Sequence, residues 1–537
     1  MARPAARLAA LSLLLLAGSA SALLAATHAG PAGTTTTQTT TAASTAPTVL
    51  AITGRGAGHG LGLSQWGANG YARHGWTYDR ILAHYYTGTT LGQAPSSRVR
   101  VLVAQAKKVT LTASAPWTET DTSGTGTQLD PAASVPLAAA TTTDALSFTS
   151  GAPLLVNGVA YRGRLTVTSD GTTLQVVDTV ALESYVKGVV TQEMPVGWPA
   201  AALQAQAVAV RTYALANLRP TGTYDLFGDG RSQVYGGVAA ETPAAVAATT
   251  ATKGQIVLWQ GKPADTLYFS TSGGRTASAR DVLGQAIPYL VSVPDPYDTL
   301  SPLHSWGPIL IAGDAAAKSL QLPGGIATFH TTARAGGRVS SVTAVSPTSF
   351  QITISGARAQ AALGLPSTWF TATVLRLLPK AKTVPYGGSL ALTGFVHGTG
   401  AVSLESKSTG GDWLPAGDLQ LDADGSFSTT VAPQVATQYR LAWDGVHVGL
   451  AKVAVAALVT ATVAPGSVSG NLAPALPAAP VQLQQQIGSS WSTLATTVTD
   501  TSGGWTFAQS LAPGTYRVRS APGHGIAAGV STPLVVS

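Results

Sequence analysis

The chain of 537 residues contains no cysteine. That excludes disulfide bridges, thiolate metal sites and a cysteine nucleophile, and leaves stability to packing alone. Charge is also scarce. Asp, Glu, Lys and Arg make up 10% of the residues, against an average of about 25%. Glutamate occurs only at 119, 183, 193, 241 and 405, so each carboxylate can be weighed singly. No run of Lys/Arg and no basic stripe interleaved with aromatics is present, which excludes nucleic acid as a partner. The net charge of +7, part of it from Arg3 and Arg7, is mild and suits an acidic polymer. His59, His74 and His84 lack a ligand spacing such as H-E-x-x-H, so neither a metal nor another cofactor is expected. Beyond the first 29 residues no apolar run is long enough to cross a bilayer.

At roughly 150 residues per domain, the length predicts three or four units. Residues 1–29 read as an export signal. Arg3 and Arg7 form its positive end, an apolar stretch runs from Leu8 to Ala26, and Ala20-Ser21-Ala22 offers a small-residue cleavage site. The rival is an uncleaved anchor, because that stretch is just long enough to span. Gly18, Ser19 and Ser21 interrupt it and favour cleavage, so no lasting membrane span is expected. Residues 30–48 are a Thr/Ala/Pro tract too polar to build a core, and predict a linker.

From 49 to 380 the pattern predicts a mixed α+β, β-rich domain. Short strands are expected at Val99–Val103, Leu165–Thr168, Leu174–Val177, Gln255–Leu258 and Gln351–Ile354. One central helix over 200–217 follows Pro199, with Leu203, Ala207, Val210 and Ala214 on its core face and Gln204 and Arg211 on another. Further helices are expected at 243–252 and 78–86. The last 150 residues repeat with a period near 78. Trp413 matches Trp491, and Tyr439-Arg440-Leu441 matches Tyr516-Arg517-Val518. Alternation in Val402-Ser403-Leu404-Glu405 and Val481-Gln482-Leu483-Gln484 predicts half-buried strands. Two all-β immunoglobulin-like sandwich modules are expected, at 384–457 and 458–537.

Four segments could carry chemistry. The first, Gly54 to Ala68, holds six glycines in residues 54–67 together with His59, Ser64, Gln65 and Trp66. Such a backbone can approach a ligand closely, but it lacks the Lys-Ser/Thr of a P-loop and the spacing of a dinucleotide fold. The second runs from Leu182 to Ala214. Glu193 lies there just before the central helix, beside Met194, Pro195 and Trp198. An apolar wall next to a carboxyl raises its pKa and keeps it protonated as an acid. The bland alternative is that Glu193 caps the helix or pairs with Arg211. Glu183, ten residues upstream in a strand-like stretch, reads as structural. The third and fourth, Gly228–Gly237 with Tyr235 and Tyr268–Thr276 with Ser272, read as polar loops lining a cleft, since no nucleophile elbow surrounds Ser272.

Taken together these segments resemble the SpoIID/LytB family. The stretch Glu183 to Leu215 is similar to its "E-x-Y-[LV]-x-G-V-V-x-x-E-M-P-x-x-W-P-x-x-A-L-x-A-Q-A-V-A-x-R-T-Y-A-L". Ser232-Gln233-Val234-Tyr235-Gly236 resembles "C-Q-V-Y-x-G", Tyr268–Thr276 resembles "Y-F-S-x-S-G-G-x-T", and Leu363–Phe370 resembles "L-G-L-x-S-T-x-F". The block 54–91 resembles a glycine/histidine segment that in the family usually closes the domain, after "L-G-L-x-S-T". Here it comes first, ahead of a core at 96–375, so it is expected to fold back beside residue 370. Ser232 stands where the family has cysteine, and Ala201 and Gln204 where it often has Glu and Lys.

The resemblance implies a peptidoglycan lytic transglycosylase that cleaves MurNAc-GlcNAc bonds of glycan strands to leave 1,6-anhydro-MurNAc ends, with Glu193 as its single acid/base. Arg211 falls at an arginine important in the family. His59, Ser64, Gln65, Tyr235, Gln204 and Ser272 are then expected to hold substrate, with Trp66 or Trp198 stacking on a sugar. The alternative implied by the same family is a non-catalytic wall-binding protein that enhances a partner amidase. Either reading expects a secreted protein at the cell wall.

Overall fold

The first strand, β1 (Thr48–Arg55), lies inside a sheet whose other members come from far along the chain. A computed structural model describes residues 48–398 and 401–537. The expected leader and all but the last residue of the expected linker lie outside the described residues. Strand outweighs helix, 44% to 17%, which makes the molecule a β-rich α+β protein.

β1 pairs antiparallel with β2 (Ser305–Ala312) on one side and β3 (Phe370–Pro379) on the other. The sheet continues through β4 (Leu390–His397) and β5 (Ser426–Val431), in the order β2-β1-β3-β4-β5. Successive side chains of a strand point to opposite faces, and both faces of β1 are buried. Leu50 and Ile52 enter a core with Trp306, Leu320, Phe329, Val342 and Val374. Val49 and Ala51 enter another with Leu375, Leu377, Leu392, Phe427 and Leu441. The boundary expected between 380 and 384 is therefore crossed by a continuous sheet. Gly54 pairs with Phe370, so the displaced glycine/histidine block does lie beside residue 370.

The third and largest core occupies residues 61–293. Its helices include α1 (Gln65–Arg73), α2 (Tyr78–Tyr85), α3 (Leu182–Glu193) and α4 (Ala200–Ala216), joined by the expected helix at Pro243–Ala251. Pro199 occupies the N-cap of α4. Its alanines let the other helices approach closely, and it is buried on nearly every side, Gln206 and Arg211 included. A seven-stranded sheet that contains Arg98–Ala106, Arg164–Ser169 and Leu174–Ala181 packs beside these helices.

The expected strand-like reading of Glu183 is corrected: 182–193 is helix. The β-branched Val186, Val189 and Val190 and the central Gly188 weaken its intrinsic helix propensity, but all four are buried, and that burial decides. Among the described residues no helix is long and apolar enough to cross a membrane.

The two repeats at the C-terminal end are all strand and share one core, from Leu441 and Val448 to Val481, Trp505 and Val518. They are also stitched by parallel pairing of Val455 with Ile526. Each repeat lays an arginine over its tryptophan, Arg440 at 4.0 Å from the Trp413 ring centre and Arg517 at 4.2 Å from that of Trp491.

Candidate active site

Glu193 is the last residue of α3, and α4 begins seven residues later. Its Oε1 accepts the Val234 N–H at 2.9 Å, and its Oε2 lies 3.5 Å from the Gln65 amide nitrogen, a long contact. The Tyr268 hydroxyl also hydrogen-bonds the carboxyl. Burial pushes the Glu193 pKa up, and these three donors offset part of the rise. The negative end of the α3 dipole works in the same direction as burial. No other carboxylate is among the groups that perturb it.

Behind Tyr268 stands a one-way chain of hydrogen bonds. Tyr185 donates to the Gln233 carbonyl oxygen at 2.9 Å, and the Gln233 amide donates to the Tyr268 hydroxyl oxygen at 3.0 Å. Tyr268 thus keeps its own proton for Glu193. Tyr185 and Gln233 are buried, so the chain is fixed in place. Glu193 is half-buried, and its bond to Val234, itself 38% exposed, lies at the surface, which leaves the carboxyl reachable. Trp66, next to Gln65, meets Trp198 edge to face at 4.8 Å between ring centres.

Of the residues expected to hold substrate, Gln65 lies beside Glu193, while several others spend their polar atoms on bonds within the protein. His59 uses both ring nitrogens internally: Nδ1 accepts the Leu61 N–H at 3.0 Å and Nε2 donates to the Tyr268 carbonyl at 3.0 Å. Burial and the nearby Arg338 push its pKa down to about 4, so it is a neutral strut for the Tyr268 backbone. Ser64 is buried and caps α1 by accepting the Gly67 N–H. Tyr235 is buried and donates to Asp178. Ser272 is buried and donates to Asp298, whose other oxygen meets His304 Nδ1 at 2.6 Å.

Arg211 is fully buried and forms a fork to Glu183 at 2.8 and 2.9 Å, with a further bond to the Gln255 carbonyl. It ties α4 to the start of α3 and is closed off from solvent. Gln204 is half-buried on α4, and no side-chain hydrogen bond is found for it. The glycines of the first block approach protein, not ligand. Gly56, Gly58, Gly60 and Gly62 all have positive φ, and a Cβ on Gly62 would sit 2.1 Å from the Leu267 carbonyl oxygen. Tyr268, Gln233 and Tyr185 lie inside the quoted motifs, but nothing in the sequence joined them to the carboxyl. Among the described residues no cluster of His, Cys, Asp and Glu could hold a metal ion.

Residues 170–259, which carry α3, Glu193 and α4, match the family described as SpoIID, stage II sporulation protein. This segment is similar to the SpoIID/LytB family. It is similar to the stage II sporulation protein D of Bacillus subtilis (strain 168), 36% identical over 149 residues, 24% of this chain and 43% of that protein. The amidase enhancer of the same organism is 36% identical over 138 residues, 25% of this chain and 18% of that protein. An uncharacterized protein of Brachyspira hyodysenteriae is 37% identical over 141 residues, 26% of this chain and 38% of its own length. The chain spans less than half the length of each of these relatives.

Proposed function

We propose that this protein is an exported peptidoglycan lytic transglycosylase with Glu193 as its single acid/base. The observation that carries the reading is one reachable carboxyl, raised in pKa by burial, with no second carboxylate perturbing it. Hydrolytic glycosidases commonly need two carboxylates about the scissile bond, whereas an intramolecular ring closure needs one.

Protonated Glu193 gives its proton to the glycosidic oxygen as the C1–O bond of MurNAc breaks. The substrate's own N-acetyl oxygen stabilises the charge at C1. The carboxylate so formed takes the proton of the C6 hydroxyl, and that oxygen attacks C1 to close the 1,6-anhydro ring. Glu193 ends protonated, ready for the next turn. Val234 N–H holds the carboxyl in place, Tyr268 supports the carboxylate while it exists, and Gln65 lies at its side. Trp66 and Trp198 offer apolar rings for a pyranose face.

Mass spectrometry of the soluble products from purified glycan strands tests this. Anhydro-MurNAc ends from wild-type protein, and none from a folded Glu193→Gln variant, are expected. Cleavage retained in Glu193→Gln removes this residue from the role, and reducing ends would mean a hydrolase.

A second reading is favoured by the relative named amidase enhancer. In it the protein binds wall and stimulates a partner amidase, and the departures at Ala201 and Gln204 accord with it. Amidase stimulation that survives Glu193→Gln would establish this role. The unit boundaries at 49–380, 384–457 and 458–537, the immunoglobulin-like character of the last two and a location at the cell wall belong to the same proposal.

A further inference from the structure

Among the described residues, one buried cation, Arg338, is connected to Glu193 through His59 and Tyr268. Arg338 is 5% exposed, and both of its terminal nitrogens are enclosed with no hydrogen-bond partner. Among the described residues no carboxylate pairs with it. A buried charge without a partner is strongly unfavourable, and removing one partner of a buried pair leaves such a state. The guanidinium lies against Gly60, where a Cβ would sit 2.6 Å from its central carbon, so the left-handed glycine at φ +86° makes room for it. Trp369 stands nearby with Arg55 and Arg338 at 5.8 and 6.0 Å from its ring centre. His59, the neighbour of Gly60, holds the carbonyl of Tyr268, whose hydroxyl meets Glu193.

We propose that Arg338 is the receptor for a carboxylate carried by the sugar strand, at a corner joined to Glu193 through His59 and Tyr268. A guanidinium is suited to this role because its planar fork matches a carboxylate with two parallel hydrogen bonds. Two sources share the chemistry: the lactyl acid of muramic acid, and the acids of a peptide attached to it. The inference rests on the proposed function for its substrate but not for its evidence, which is the unpaired cation itself.

The test is calorimetric binding to the Glu193→Gln protein, so that cleavage cannot interfere. Three tetrasaccharides are compared: one of GlcNAc alone, one alternating GlcNAc and MurNAc with free lactyl acids, and the latter carrying dipeptides. Preference for an acid-bearing strand over the GlcNAc strand by about tenfold or more is expected, and the arm that shows it identifies the source. Adding Arg338→Met should erase the preference and raise the thermal unfolding temperature, since it removes an unpaired buried charge. Adding Arg338→Lys, which keeps the charge without the fork, should retain only part of it. Equal binding of all three strands, or a preference that survives Arg338→Met, overturns the inference. Cleavage by wild-type protein without the preference leaves the transglycosylase reading intact, and the preference without cleavage leaves Arg338 intact.

Discussion

In the proposed mechanism a single carboxyl does the catalysis, which would make the rate a direct reporter of its protonation. The raised pKa of Glu193 means that the rate should hold while the carboxyl is protonated and fall as pH rises through that value. Tyr268 lowers the pKa by hydrogen-bonding the carboxylate, so Tyr268→Phe should push it further up. The expected outcome is a rate reduced by about tenfold or more, with the falling limb of the pH profile moved to higher pH. An unmoved limb would show that Tyr268 only packs there. Glu193 was legible because a lone carboxyl beside Met194 and Trp198 stands out in so acid-poor a chain. The partners of that carboxyl were not legible, since Tyr185, Gln233 and Tyr268 come from three segments whose meeting only the fold brings about. His59 and Ser64 were legible as unusual, but the bonds that take up their polar atoms, to Leu61, Tyr268 and Gly67, were not.

At the scale of elements, α3 and α4 are held together by an ion pair in the core. Arg211→Met leaves Glu183 without its partner. Loss of a buried pair typically destabilises by 3–5 kcal/mol. The side chain of Glu183 is 29% exposed, so solvent screening reduces the expected loss to about 2–3 kcal/mol. Denaturant unfolding should show this loss, while the KM of the remaining folded protein should not change. The sequence pattern found α4 through its alanines but missed α3, where tertiary burial overrides the poor propensity of its valines. The strand Leu174–Ala181 carries a second consequence. Asp178 on it is fully buried, and burial pushes its pKa up to about 7. Between roughly pH 4 and 7 the folded chain therefore binds a proton that the unfolded chain has released, so stability falls as pH rises through that window. Asp178→Asn should flatten this slope and raise stability at pH 8 by roughly 1–3 kcal/mol.

For the molecule as a whole, the repeat near 78 residues showed the β-rich end, but the connection between that end and the rest was invisible. No pattern in Val49, Ala51, Leu375 and Leu377 announces which distant strands will cover them. Deleting 384–537 removes β4 and β5, bares the edge of β3 and exposes those four side chains. Burial of a Val or Leu side chain is worth about 1.5–3 kcal/mol, and a bare apolar edge invites pairing with another copy. The truncated protein should unfold at a lower temperature and self-associate in size-exclusion chromatography. An unchanged, monomeric truncation would mean that the first core is self-sufficient.

The position of β1 has a mechanical consequence. It opens the described chain yet lies between two partners that arrive more than 250 and 310 residues later. A pull on residue 48 along the strand direction would load the hydrogen bonds to β2 and β3 together, in shear, with a buried core on either face resisting the slide. At an edge the same pull would peel bonds away one at a time. Tension applied at this end would therefore reach Arg55 and the Gly60 corner only after this interior strand had given way.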